Sequence, residues 1–213
     1  MSAMGAELES GFLWANAELT SAHDYLLPAV LRTLSASDRQ PGRHRVLDLG
    51  CGNGSVTAEL AARGWDILGV EPSESGLAQA RARHPQLRFE QGSAYEPLAE
   101  RFGCFDVVLS LEVIEHLYDP RAFARQVRAL LSPGGTALIS TPYHGYLKNL
   151  ALALTGTMDA HFTVLWDHGH IKFFSPRTLT TLLQEAGLRV GEIQRLGRIP
   201  PLAKSMLAVC KAT

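Results

Sequence analysis

Five short apolar runs recur along the chain, at 45–49 (RVLDL), 66–70 (DILGV), 87–90 (LRFE), 105–109 (FDVVL) and 136–140 (TALIS), each the length of a buried strand. Stretches with helical spacing lie near 55–63, 73–83, 120–131 and 175–186, and SPGG at 132–135 reads as a stop before the fifth run. Alternation of this kind predicts an α/β fold with a parallel sheet covered by helices on both faces. The last two apolar runs, 188–195 and 203–210, are separated by GRIPPL and no helix, so they must pair antiparallel as a hairpin at the sheet edge. Upstream, Leu26, Leu27, Val30, Leu31 and Leu34 repeat at helical spacing until SDRQPGR breaks the pattern, which predicts an N-terminal helical cap over 1–40.

Residues 143–174 fit no simple strand-to-helix connection and predict a lid after the fifth strand. Trp166, Phe162, Phe173, Phe174, Tyr143 and Tyr146 are its candidate pocket residues, although the adjacent Phe173 and Phe174 should face opposite ways. Its apolar stretch LKNLALALTG has a single lysine, so it reads as a helix packed over the pocket, not as a membrane-surface anchor.

Composition narrows the classes of function. A chain of 213 residues with 46% apolar and 19% charged residues suits one domain with its own core, here 1–213. Twenty basic against twenty-one acidic residues leave a net charge of −1, so no single-signed field favours nucleic acid as a partner. Cys51, Cys104 and Cys210 are scattered and odd in number, which argues against a disulfide framework or a structural zinc and fits a reducing cytoplasm. Neither a signal peptide nor an apolar run of about 18 residues is present, so no membrane insertion is expected.

The chemistry concentrates in VLDLGCGNG, residues 46–54, where a strand ends on an acid and breaks into three glycines. A strand feeding such a loop and then a helix exposes backbone N–H groups at the carboxyl end of the sheet, where open α/β sheets bind ligands. A dinucleotide would ask for G-x-G-x-x-G, which Gly50, Gly52 and Ser55 meet only in part. Asp48 beside the turn would repel a pyrophosphate but attract a cationic amine, and Glu71 at the end of the second strand can accept hydrogen bonds from both ribose hydroxyls. A nucleoside with a positive charge satisfies both acids.

VLDLGCGNG, GVEPS and FDVVLSLEVIEHLYDP resemble the nucleoside-binding motifs of class I S-adenosylmethionine-dependent methyltransferases, over roughly residues 44–210. The resemblance implies a Rossmann-like seven-stranded, mostly parallel sheet with the terminal antiparallel hairpin. It implies S-adenosylmethionine as donor and S-adenosylhomocysteine as product. Asp48, Gly50, Cys51 and Gly52 would surround the methionine and ribose parts, with Gly54 keeping the helix start open. Glu71 would hold the ribose diol, Pro72 would flank the adenine and Leu111 would lie near the methionine. Where the family often has an aspartate for the adenine amine, this chain has Ser93 and Ala94. Cys51 reads as a small loop residue and not as a nucleophile.

Methyl transfer from a sulfonium mainly needs alignment and exclusion of water, and a phenolic acceptor would add a use for a histidine base. His116 is the best-placed candidate, with His168 and His170 supplied by DHGHIKFFSP. HIKFFSPRTL is similar to ubiquinone-biosynthesis O-methyltransferases, which implies O-methylation of a small molecule and catalytic roles for His116 and His170. Glu112, Glu115, His116 and His170 also resemble the divalent-metal set of small-RNA 2′-O-methyltransferases, an alternative function alongside a non-catalytic nucleoside-binding module. Phe12, Trp14 and Tyr25 are expected either to close the donor site or simply to pack on the sheet.

Overall fold

The structure is a computed structural model that describes residues 14, 16, 18–162 and 164–212; Phe12 lies outside them. In chain order its elements are α1 (His23–Ser35), β1 (Arg45–Leu49), α2 (Ser55–Ala61), β2 (Asp66–Glu71), α3 (Glu74–Arg83), β3 (Arg88–Gln91), α4 (Leu98–Phe102), β4 (Phe105–Ser110), α5 (Pro120–Leu130) and β5 (Leu131–Pro142). They continue with α6 (Tyr146–Leu154), α7 (Met158–Phe162), α8 (Pro176–Glu185), β6 (Leu188–Leu196) and β7 (Ser205–Ala212). Short 3-10 turns occupy Ile114–His116 and Pro200–Leu202.

The seven strands form one sheet in the order β3-β2-β1-β4-β5-β7-β6. Strands β1 to β5 pair in parallel, and β7 runs antiparallel to both β5 and β6. The expected seven-stranded Rossmann-like sheet is therefore present, with one refinement: β7 enters between β5 and β6, so β6 alone forms that edge. A second refinement concerns SPGG. Phe105 pairs with Leu131 but Val107 already pairs with Thr136, so the tetrapeptide is looped out of β5 as a bulge, not placed ahead of it.

Period-two alternation assigns the two faces. Leu47, Leu49, Leu68, Val70 and Val108 meet α5 and α8 through Phe123, Val127, Leu179 and Leu183. Their neighbours Val46, Ile67, Val107 and Leu109 meet α1 and α2 through Leu26, Val30, Val56 and Leu60. Each fully buried Leu or Phe contributes about 1.5–3 kcal/mol by leaving water, which fixes the register of the central strands β1, β2, β4, β5 and β7. Helix starts are set locally: Asp119 accepts from Ala122 N–H at 3.0 Å ahead of Pro120, and Ser175 and Thr178 form a reciprocal capping box ahead of Pro176. This arrangement brings the carboxyl ends of β1, β2 and β4 to one edge, and the residues that follow them build the site.

Candidate active site

Asp48 lies in β1 with its carboxylate buried, accepting from the Thr57 hydroxyl at 2.6 Å. Burial pushes its pKa up to about 6 against the lowering effect of that bond. Glu71, also buried, accepts from Gly52 N–H at 2.9 Å and from Ser73 N–H at 3.0 Å. Burial dominates here too and raises it to about 7, with the two backbone donors opposing and Asp48 adding to the shift. Asp48 at about 6 and Glu71 at about 7 are incompletely ionised between pH 6 and 7, and a cationic ligand between them would complete ionisation.

The loop between β1 and α2 is shaped by glycine. Gly52 has φ +55°, and a Cβ there would collide with the indole of Trp14. Gly54 caps α2 with φ +76°, and a Cβ there would press on Phe89 and Ala80. Asn53 ties the chain before α1 to this loop, its amide donating to the carbonyls of Asn16 and Glu18 at 2.9 Å each.

A cavity of about 510 Å³ opens beside the loop, within the size range of small-ligand sites. Asp48, Gly50, Cys51, Glu71, Pro72, Ser93, Ala94 and Leu111 all line it, joined by Trp14. Gly52 alone among the expected donor residues does not. Tyr25 is not among the lining residues and instead bonds Ser205 on β7 at 3.0 Å, so it takes the packing role. The Cys51 thiol is pushed far up by burial and by the neighbouring acids, which removes it as a nucleophile and suits its reading as a loop residue.

The opposite wall of the cavity carries His116, His170, Trp166, His168, Gly169 and Ile171. His116 Nδ1 faces the carbonyls of His168 and Gly169 at 3.1 and 3.2 Å. Two acceptors place the proton on Nδ1 and leave Nε2 with its lone pair. Burial lowers the His116 pKa, opposed by those two bonds, so the ring is neutral at pH 7. His170 meets it edge-on with ring centroids 4.9 Å apart, and Trp166 flanks both.

Glu115, His116 and His170 present ligand atoms within 4.8 Å of one another. Neither Glu115 oxygen, both buried, makes a hydrogen bond of good geometry, and burial together with Glu112 raises its pKa well above the carboxylate range, against the lowering effect of its own backbone N–H and the Thr141 hydroxyl. Glu112 stands outside this group. Its backbone is left-handed at φ +53°, and its carboxylate accepts from Ser140 at 2.7 Å and Ser205 at 3.1 Å. With the Ser205 proton directed at Glu112, the Tyr25 hydroxyl donates to Ser205. Neither serine, nor Thr57 behind Asp48, carries a motif that would have identified it in the sequence.

The segment 143–174 divides its aromatic residues. Trp166 lines the cavity, Phe162 and Phe173 pack around His144, and Tyr143 and Phe174 are buried in the core. Tyr146 is 89% exposed. Phe173 and Phe174 do face opposite ways, the first half-exposed and the second buried. α6 departs from expectation: none of its residues lines the cavity, and Leu147, Leu150 and Leu154 point outward, because the side it buries carries Lys148. Among the described residues no helix is long and apolar enough to cross a membrane.

The strand order with β7 inserted beside β5, and a glycine loop at the carboxyl end of β1, define a class I methyltransferase fold. Residues 19–193 match a family described as a methyltransferase domain, and the chain belongs to that family. The ubiquinone biosynthesis O-methyltransferase of Azorhizobium caulinodans is 36% identical over 157 residues, 70% of this chain and 60% of that protein. Its namesake in Ruegeria pomeroyi is 36% identical over 151 residues, 68% of this chain and 59% of that protein. The matched stretch thus spans about three fifths of the length of these relatives. Magnesium protoporphyrin IX methyltransferase from Synechocystis PCC 6803, crystallised with SAH, superposes with a TM-score of 0.68 at 17% identity, over 88% of this chain and 82% of that one.

Proposed function

We propose that this protein transfers a methyl group from S-adenosylmethionine to a hydroxyl oxygen of a small-molecule acceptor. The observation that carries this reading is His116, a neutral imidazole with Nδ1 held by two carbonyls, on the same cavity as Asp48 and Glu71. When bound, S-adenosylmethionine supplies a methyl group on a sulfonium, open to in-line displacement. Asp48, Gly50, Cys51, Glu71, Pro72, Ser93, Ala94 and Leu111 are the residues that would hold it, with Gly52 fixing Glu71 through its N–H. The fit rests on two buried carboxylates raised by desolvation, which a cationic nucleoside compensates, and on a cavity of suitable volume.

On the acceptor side, His116 Nε2 takes the hydroxyl proton as oxygen attacks, and a neutral ring is the state that can do so. His170 and Trp166 exclude water from the reacting oxygen, and residues 143–174 act as the acceptor-side part of a single domain. The names of the relatives at 36% identity support oxygen over nitrogen and a small molecule over an RNA end. Incubation with methyl-labelled S-adenosylmethionine and a panel of phenols, catechols and amines tests the proposal: label should appear on oxygen. Transfer only to nitrogen would correct the acceptor atom. S-adenosylhomocysteine binding without transfer to any acceptor would favour the non-catalytic module.

One observation favours a second reading, in which Glu115, His116 and His170 hold a divalent cation. A buried carboxylate whose oxygens lack a well-formed hydrogen bond, beside two imidazoles with ligand atoms within 4.8 Å, is a suitable donor set for one. Chelator-stripped protein that melts and turns over identically with magnesium, manganese or zinc would remove it.

A further inference from the structure

Glu112, two residues past the end of β4, holds a backbone angle that side chains avoid: its φ of +53° is unfavourable for any residue with a Cβ. Such a conformation persists only where the surroundings impose it. Here a closed set of hydrogen bonds does so. The Glu112 N–H donates to Ser140 Oγ at 3.0 Å, and the same hydroxyl donates back to the carboxylate at 2.7 Å, so one serine grips both ends of the residue. Ser205 donates to the second carboxylate oxygen at 3.1 Å, and the Tyr25 hydroxyl meets Ser205 from α1 at 3.0 Å. Ser140 pairs with Leu207 and Ser205 with Pro142, which makes the two buried serines diagonal neighbours on one face of β5 and β7. The carboxylate is thereby anchored to the sheet.

The turn held in this way is part of the cavity wall. Leu111, Glu112 and Val113 line it beside Asp48 and Gly50. Val113 packs directly on the glycine loop, since a Cβ on Gly50 would come within 2.5 Å of Val113 Cγ2. Gly50 is fixed in turn, its N–H donating to the Val70 carbonyl at 2.8 Å. After Val113 the chain enters the 3-10 turn Ile114–His116, and His116 belongs to the opposite wall. Glu112 thus stands between the two walls, whereas Ser140, Ser205 and Tyr25 behind it are not among the lining residues.

We propose that Glu112 is a positioning residue: clamped by Ser140 and Ser205, it holds the 111–113 turn against Gly50 in the shape that the methionine end of the donor requires. The clamp stands on geometry alone, and its consequence for the donor rests on the methyl-transfer reading. Through it, β5 and β7 govern affinity at a site that their serines do not line.

The test is calorimetric titration of S-adenosylhomocysteine into the whole protein and its variants, at pH 8, where Glu112, which burial raises to about 7, is chiefly ionised. Ser140→Ala and Glu112→Ala should each weaken binding about tenfold, and Ser205→Ala, which removes one bond, about threefold. The double variant Ser140→Ala, Glu112→Ala should bind no more weakly than the poorer single variant, because both break the same clamp. Glu112→Gln, which can accept from one serine and donate to the other, should stay within about threefold of the wild type. A merely structural role would lower the melting temperature and leave the affinity of the folded protein unchanged. Unchanged affinity in Ser140→Ala overturns the proposal, as do losses that add in the double variant, since these belong to a Glu112 that touches the ligand itself. If Ser140→Ala does not fold, Ser205→Ala carries the same comparison. Deuterium exchange of the ligand-free protein separates the two claims: residues 111–117 should exchange several-fold faster in Ser140→Ala than in the wild type. Unchanged exchange overturns the clamp, and faster exchange with unchanged affinity overturns its role toward the donor. A wild type that shows the clamp by exchange but does not bind S-adenosylhomocysteine overturns the methyl-transfer reading and leaves the clamp standing.

Discussion

Gly52 and Glu71 are joined by a 2.9 Å hydrogen bond in which the glycine N–H donates to the carboxylate Oε2. The bond crosses from the turn after β1 to the end of β2, so one acid both fixes the loop and faces the cavity. A ribose diol that bonds this carboxylate therefore meets a group already oriented by two backbone donors.

Replacing Glu71 by alanine should remove the ribose acceptor and release the loop together. The expected outcome is at least a tenfold loss of S-adenosylhomocysteine affinity by calorimetry, since bonds to a charged acceptor are worth about 1.5–3 kcal/mol. Unchanged affinity would exclude Glu71 as the ribose anchor.

Gly52→Ala should lose stability by about 1 kcal/mol or more, because φ +55° is unfavourable for any side chain and the new methyl group strikes Trp14. Adding Trp14→Ala removes the collision but not the backbone cost, so the double variant should recover only part of the melting temperature. Full recovery would show that the backbone angle carries no strain.

The two buried acids make stability depend on pH. Asp48 at about 6 and Glu71 at about 7 are both raised from their ordinary values, so the folded state retains protons that the unfolded state has released. Stability is greatest below the unfolded pKa values and declines as pH rises towards 7, by on the order of 3 kcal/mol per group as an upper figure. Urea denaturation across this window should show the decline, and Glu71→Gln should lessen it, the remainder coming from Asp48, Glu112 and Glu115, which burial raises as well. Donor affinity should move the opposite way, increasing from pH 6 to pH 8 as both acids ionise.

His116→Ala should slow methyl transfer to a phenol by about 100-fold or more while leaving S-adenosylhomocysteine affinity intact. The deficit should narrow at alkaline pH, where a phenol of pKa about 10 begins to ionise without help. An unaffected rate at pH 7 would remove His116 from the mechanism.

That the proposed donor residues gather at one cavity was legible because their spacing is local. Asp48 and the glycines share one turn, and Glu71 ends the next strand, so motif spacing alone brings them together once the strands are parallel. Ser93, Ala94 and Leu111 follow from the same logic, each sitting just past a strand. The acceptor half was legible in its residues and not in its geometry: His116 and His170 could be named, but the carbonyls of His168 and Gly169 that set the His116 tautomer could not.

What the sequence determined by itself was the succession of the seven strands, most of the helices between them, and the glycine loop at the carboxyl end of β1, because period-two and helical spacing, caps and glycine turns act over a few residues; the short α4 and α7 were not foreseen. Tertiary structure alone decided that Tyr25 packs on β7, that SPGG bulges from β5, and that α6 turns Leu147, Leu150 and Leu154 outward while burying Lys148. It also decided that Glu112 leaves the histidines for Ser140 and Ser205, the latter 93 residues away. The reason is physical: a buried charge settles where its partners and desolvation cost balance, and those partners come from strands that meet only after the sheet has closed.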